Sequence, residues 1–260
     1  MPRVTFPDLF GKTALNSREL RKLQRLAAPV RFRSGQTIVT EGEIAGGVYG
    51  LSQGVVRVYK KLADGRHHIL RFALPGDFLE LPRGERHCLS ADAIGTVSAS
   101  RFARSELFEF VQASRNMTRL MIDFAAEELK RSHDQMLSLG RSTPEEQLTA
   151  FLVDWRKRLP RRPGRFISLP MSRRDIAAHL GMAPETLTRT FAKLQQKEII
   201  RVVEDGVDLL DVGPGRGRAK QCPPGIHGGL RVMSSPIGSQ DGRTAAVPRS
   251  PRVIAFLRAF

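Results

Sequence analysis

The sequence predicts an α+β fold in three parts: an N-terminal antiparallel β-roll, a long helix, and a C-terminal winged helix-turn-helix. Three observations predict it. Residues 29–103 hold short apolar runs separated by glycines. The apolar spacing then lengthens to alternating threes and fours over Ser114–Gly140. A glycine-stopped pair of helices occupies Met171–Arg201. The implied boundaries are 1–113 for the roll with a leading helix, 114–140 for the long helix, 141–212 for the winged helix-turn-helix, and 213–260 for a tail.

In chain order, Ser17–Ala28 (SRELRKLQRLAA) reads as a short amphipathic helix begun by a Ser/Asp/Asn-type cap. Strand-like runs follow at Gln36–Val39, Val48–Leu51, Val55–Lys60, His67–Ala73, Ser90–Ala93 and Val97–Arg101. Gly35, Gly42, Gly46-Gly47, Gly54, Pro75-Gly76 and Gly84 punctuate them, and Asp64-Gly65 between two runs is a hairpin signal. Many short strands with turns about every eight residues imply a small roll or barrel. In Ser114–Gly140, Ile122, Ala125, Leu129, Ser132, Met136 and Leu139 form a 3.5-residue seam like that of a two-stranded coiled coil. Met117, Met121 and Phe124 form a second stripe that can cover the roll. Pro144-Glu145-Glu146 opens another helix, to about Lys157. Ile199–Val203 and Val207–Val212, flanking Glu204-Asp205-Gly206, read as the wing.

The segment MSRRDIAAHLGMAPETLTRTFAKLQQKEIIR carries the chemistry. Ile176, Leu180, Met182, Leu187 and Phe191 close two helices over one small core, with Ala177 small at the crossing. Ser172 fits an N-cap, Gly181 a helix stop with positive φ, and Pro184 the first turn of the second helix. The outward residues are then polar. Arginine's planar fork matches guanine O6 and N7, a carboxylate accepts from cytosine N4, and a threonine methyl can lie against a thymine methyl. Glu185, Thr188 and Arg189 are therefore the base-reading candidates. Ser172, Arg173, Thr186 and Lys193 are the candidates for phosphate contact.

Net charge is +16 over 260 residues, of which +7 falls in residues 213–260. That favours a polyanionic partner, with Arg156-Lys157-Arg158, Arg161, Arg162 and Arg165 as a further candidate backbone contact. Eight glycines and six prolines in the 48-residue tail predict disorder there. Cys88 and Cys222 are the two cysteines, without ligand spacing, which argues against a disulfide scaffold or a zinc site and suits a reducing compartment. Cys88 beside His87 reads as a surface-loop cysteine, and His67-His68 as structural. No apolar run approaches the roughly 20 residues of a membrane span, and no signal segment opens the chain, so a cytoplasmic protein without membrane contact is expected. No triad, phosphate-cradling glycine loop or paired carboxylates suggest an enzyme.

Roll, long helix and winged helix-turn-helix in this order resemble the Crp/Fnr family of bacterial transcription regulators over about residues 15–212. GQTIVTEGE (Gly35–Glu43), LSQGVVRVYK around Gly54, LPGDF (Leu74–Phe78) and the helix pair carry the resemblance most specifically. It implies a cyclic-nucleotide-binding-like roll, a homodimer, and double-stranded promoter DNA and RNA polymerase as partners. Fnr- and FixK-like members carry Glu-x-x-Ser-Arg where this chain has Glu185-Thr186-Leu187-Thr188-Arg189, with Thr188 in place of serine. The implied site is a TTGAT…ATCAA dyad. Cyclic-AMP-binding members hold the cyclic phosphate with an Arg-Ser pair, and the matching place here is Leu89-Ser90. Ser100 stands at the roll-cysteine place of iron–sulfur members. The expectation is thus a FixK-like regulator with no cofactor. A regulator gated by an unidentified effector, and a nonspecific basic nucleic-acid-binding protein, remain the alternatives. Glu185 separates the last of these, because a carboxylate aimed at DNA is a liability unless it rejects wrong bases.

Overall fold

Ala27 follows the first helix directly into a strand, and that junction sets the plan of the N-terminal half. In the computed structural model, which describes residues 15–63, 65–79, 81, 84–141, 143–159 and 165–210, helix α1 (Ser17–Leu26) leads into β1 (Ala27–Phe32), β2 (Thr37–Val39), β3 (Gly47–Lys61), β4 (His67–Ala73) and β5 (Ser90–Ala103). The strands form one antiparallel sheet in the order β1-β5-β3-β4, with β2 also on β5. Asn16 caps α1 in a capping box with Glu19. The expectations for residues 213–260, Asp64, Arg161 and Arg162 lie outside the described residues.

Two features differ from the sequence reading of the roll. The runs Val48–Leu51 and Val55–Lys60 belong to one strand, β3, and Ser90–Ala93 and Val97–Arg101 to another, β5. Gly54 sits at φ +91°, where a Cβ would lie 2.5 Å from the Thr96 carbonyl. The register shifts there between Gln53 and Val55. The glycine therefore bends a continuous strand instead of ending it. Strand β1 went unread because Pro29 looks like a breaker. It is tolerated because β1 is an edge strand, where one missing N–H costs the ladder little.

Ile38, Leu51, Val56, Val58, Ala73, Leu79 and Ala91 fill the roll's interior. A second cluster of Leu23, Val48, Phe102, Leu107, Phe110 and Met117 closes one end with α1, α2 (Arg104–Ala113) and the start of α3 (Arg115–Arg141). Helix α2 gave no sequence signal because it begins straight off β5, with Ala103 at its N-cap and no side-chain cap bond. At 1.5 Å per residue, the 27 residues of α3 span about 40 Å. Met121 and Phe124 pack on the roll as the second stripe predicts, Phe124 edge-on to Phe78 at 5.5 Å.

The C-terminal part comprises α4 (Pro144–Arg158), β6 (Phe166–Ser168), α5 (Arg173–His179), α6 (Pro184–Gln196), β7 (Ile200–Val203) and β8 (Gly206–Leu209). Its wing is three-stranded, in the order β6-β8-β7. Trp155 of α4 is buried and donates from Nε1 to the Ser168 carbonyl at 2.8 Å. The largest core crosses between the halves: Val55, Tyr59, Ile69, Phe72 and Leu74 of the roll share it with Leu148, Phe151, Trp155, Ile176, Leu187 and Phe191. A face of β3–β4 that an antiparallel sheet could leave to water is thus apolar and covered. No helix among the described residues is long and apolar enough to cross a membrane.

Candidate nucleic-acid interface

Helices α5 and α6 meet through a turn whose chemistry is local. Ser172 accepts from the Asp175 N–H at 3.1 Å while Asp175 accepts from the Ser172 N–H at 3.1 Å, a capping box that starts α5. Gly181 then takes φ +63°, and Met182 N–H closes on the Ala177 carbonyl at 3.0 Å. Pro184 occupies the first turn of α6, where a missing N–H is harmless. Ile176, Ala177, Leu180, Leu187, Phe191 and Leu194 are buried against Leu148, Leu152 and Trp155. Fully burying one such side chain is worth about 1.5–3 kcal/mol, so the pair is held rigidly enough to present a face.

That face carries the expected residues. Glu185, Thr188 and Arg189 are all exposed. At i, i+3 and i+4 they share one side of α6, and Lys193 continues the stripe. Among the described residues neither Glu185 nor Arg189 has an ion-pair partner. The Thr188 hydroxyl donates to the Pro184 carbonyl at 2.9 Å, which helps fix the orientation of its methyl.

The phosphate candidates are less uniform. Ser172 is exposed, but its hydroxyl is engaged in the capping box. Thr186 is half-buried, and its carbonyl accepts from the Thr190 hydroxyl at 2.7 Å. The Arg173 guanidinium lies 3.5 Å from the centroid of the Phe191 ring, with Nη1 buried and lacking a hydrogen bond; burial pulls its pKa below the usual arginine value. Lys193 is exposed but sits 3.5 Å from Glu145 at the start of α4, and Lys197 also binds Glu145. The Lys197 contact holds the Glu145 carboxyl below its ordinary range. Arg158, expected in a basic DNA contact, is instead mostly buried and donates to Asp77 of the roll at 2.7 Å. An 81-residue separation left no local signal of that pairing.

Further contacts that sequence reading missed fasten α5 to the roll. Arg57 of β3 lies 3.0 Å from Asp92 and 3.1 Å from Asp175. Burial opposes the charge on Arg57, but the two carboxylates outweigh it and raise its pKa. His179 Nδ1 lies 3.1 Å from the Ile69 carbonyl, to which it can donate, and its ring packs against Phe72 and Phe151. Burial pushes the His179 pKa down to about 4. On α3, Ile122, Leu129 and Met136, seven residues apart, are 46%, 58% and 61% exposed. Ala125 between them is partly buried, and Ser132 is exposed with its hydroxyl on the Glu128 carbonyl. The side chain of Leu139 lies outside the described residues. Cys88 is exposed.

A β-roll, a long helix with an open apolar stripe, and a winged helix-turn-helix with a polar outer face define a DNA-binding transcription regulator. Residues 146–213 match the model of the Crp-like helix-turn-helix domain, and residues 29–114 that of the cyclic nucleotide-binding domain. The chain is 46% identical over 192 residues to the transcriptional activatory protein AadR of Rhodopseudomonas palustris, covering 73% of this chain and 80% of that protein. It is 41% identical over 201 residues to the nitrogen fixation regulation protein FixK of Bradyrhizobium diazoefficiens, covering 76% and 85%. The solved structure of FixK2 from Bradyrhizobium japonicum superposes with a TM-score of 0.66 at 36% identity, covering 71% of this chain and 92% of that one. The chain belongs to the Crp/Fnr family of transcriptional regulators, with FixK-type proteins among its relatives.

Proposed function

We propose that the protein binds a TTGAT…ATCAA-like promoter dyad as a homodimer and activates transcription there with RNA polymerase, in the cytoplasm. The observation that carries this reading is the exposed set Glu185, Thr188 and Arg189 on one face of a helix backed by a buried core, with neither Glu185 nor Arg189 ion-paired among the described residues. Arg189 reads guanine, Glu185 accepts from cytosine N4 and disfavours other bases, and the Thr188 methyl meets a thymine methyl. Ser172, Arg173, Thr186 and Lys193 set the register on phosphates. For Lys193 this means leaving Glu145 for DNA. The seam Ile122, Ala125, Leu129, Ser132, Met136 and Leu139 pairs two copies, which puts two readers about one helical turn, roughly 34 Å, apart. Activation is taken from relatives named as activators, among them those of Rhodopseudomonas palustris and Pseudomonas protegens.

The test is a titration of a labelled TTGAT…ATCAA duplex and a scrambled one at physiological salt, followed by anisotropy, with no ligand added. A preference of about a thousandfold or more is expected of a specific reader. Equal affinity for the two would overturn this reading and point to a missing effector, a different half-site or a nonspecific basic nucleic-acid-binding protein.

A further inference from the structure

Residues 29–114 match the model of the cyclic nucleotide-binding domain, but this chain's residues do not fit a cyclic nucleotide. The place of the phosphate-binding pair is Leu89-Ser90. Leu89 packs toward the roll's core, and the Ser90 hydroxyl, buried, accepts from the Glu41 N–H at 3.0 Å. Leu89 lines a cavity of about 510 Å³ between roll, α3 and α4, but the charged residues around it are balanced: Arg71, Arg131 and Arg158 face Glu128, Asp134 and Asp154. No surplus of positive charge is left to draw in a phosphate.

The arginines there are engaged by this chain's own groups, although Arg71 Nη1 is buried without a hydrogen-bond partner. Arg71, on β4, donates to the carbonyls of Phe78 and Leu79 at 2.7 and 2.8 Å, and its Nε lies 2.9 Å from Glu128 on α3. Arg131, also on α3, lies 2.9 Å from Glu128 and 3.5 Å from Asp77. Asp77 also accepts from Arg158 of α4 at 2.7 Å and stands 3.9 Å from Arg71. One carboxylate of the roll thus touches cations from the sheet, the long helix and the DNA-binding domain.

We infer that this chain's own side chains take the place of an effector: Asp77, gripping Arg71, Arg131 and Arg158, holds the DNA-binding domain on the roll without a bound nucleotide. Asp77 and Arg158 are then positioning residues for DNA recognition. A buried ion cluster is weak evidence for stability, since desolvation offsets much of its attraction. What it sets is geometry, and removing one partner leaves the others uncompensated. The inference rests on the proposed reader, because it assigns the cluster the task of orienting α6.

The experiment uses the full chain and the variants Arg158→Gln, Arg158→Lys and Asp77→Asn. Asp77 also accepts the Leu74 N–H at 2.9 Å and supports a turn, so Arg158→Gln is the decisive variant. Two readouts are taken: affinity for the dyad and scrambled duplexes, and the rate of tryptic cleavage after Arg141, between α3 and α4. Arg158→Gln should bind the dyad at least tenfold more weakly, bind scrambled DNA as before, and be cut several-fold faster. Arg158→Lys should recover part of both. Cyclic AMP and cyclic GMP at millimolar concentration should leave the wild type unchanged. Wild-type cleavage and affinity in Arg158→Gln would overturn the inference, as would a cyclic nucleotide that tightens dyad binding. If the wild type shows no dyad preference, the proposed function fails. The cleavage rate then still decides whether the cluster holds the domains together.

Discussion

Arg189 on α6 and Arg71 on β4 are the same residue in opposite settings. Arg189 is exposed and has no ion-pair partner among the described residues, whereas Arg71 is enclosed, donates to two carbonyls and meets Glu128 and Asp77. Glu185 and Glu128 differ in the same way. Arg71 sits in an apolar run, Ile69–Leu74, but Glu128 lies among polar neighbours just as Glu185 does, so composition alone cannot tell a charge reserved for a partner from one consumed inside the fold. The difference is set by what lies across from each group, and for Arg158 that is a carboxylate 81 residues away. Free charge on one side and consumed charge on the other separate recognition from support.

The contrast can be broken most strongly from the interior. Trp155→Ala removes the largest fully buried side chain, which contacts Phe72 of the roll and Phe151 of its own helix. A loss of about 3–5 kcal/mol in chemical denaturation is expected. The same substitution at an exposed reader position should leave unfolding nearly unchanged.

Acid attacks the interior next. The folded-state value of His179 lies below its ordinary 6.5, at about 4, so the unfolded chain binds the extra proton. Stability from this group is complete above about pH 6.5, falls as the pH drops toward 4, and is lost no further below that. The total is about 3 kcal/mol, at roughly 1.4 kcal/mol for each tenfold difference in proton affinity between the folded and unfolded chain. Urea midpoints taken from pH 7 to pH 4 should show that slope, and His179→Gln should flatten it.

The exposed side is sharpened by smaller effects. Arg189→Ala should cost about 1–3 kcal/mol on the dyad and little on scrambled DNA, while Glu185→Ala should relax discrimination at one position by a similar amount, as read in competition titrations across single-base variants. Equal losses on both duplexes would remove both roles. Lys193→Ala should be mildest, weakening all sequences alike and flattening the salt slope by about one.

Much of this arrangement was legible in the chain. The helix pair could be read because its signals are local: Ser172, Gly181 and Pro184 each answer a backbone requirement within a turn of themselves. The long helix and the wing followed from period. The roll was read in pieces because Gly54 resembles a terminator when its pairing partner across the sheet is unknown. Strand β1 and helix α2 were lost for want of any boundary signal, Pro29 misleading in one case and Ala103 silent in the other. The charge cluster was invisible because the contacts that define it, Arg71 with Glu128, Arg131 with Asp77 and Arg158 with Asp77, join distant segments. Charges drawn together by folding have no spacing rule to betray them.

Trp155 is the chain's one tryptophan, and it stands where the roll and the DNA-binding domain share a core. Any motion between those parts must alter the surroundings of that indole, so emission wavelength and quencher access become an optical gauge of domain docking that needs no label. The protein carries its own strain meter at the joint most worth watching.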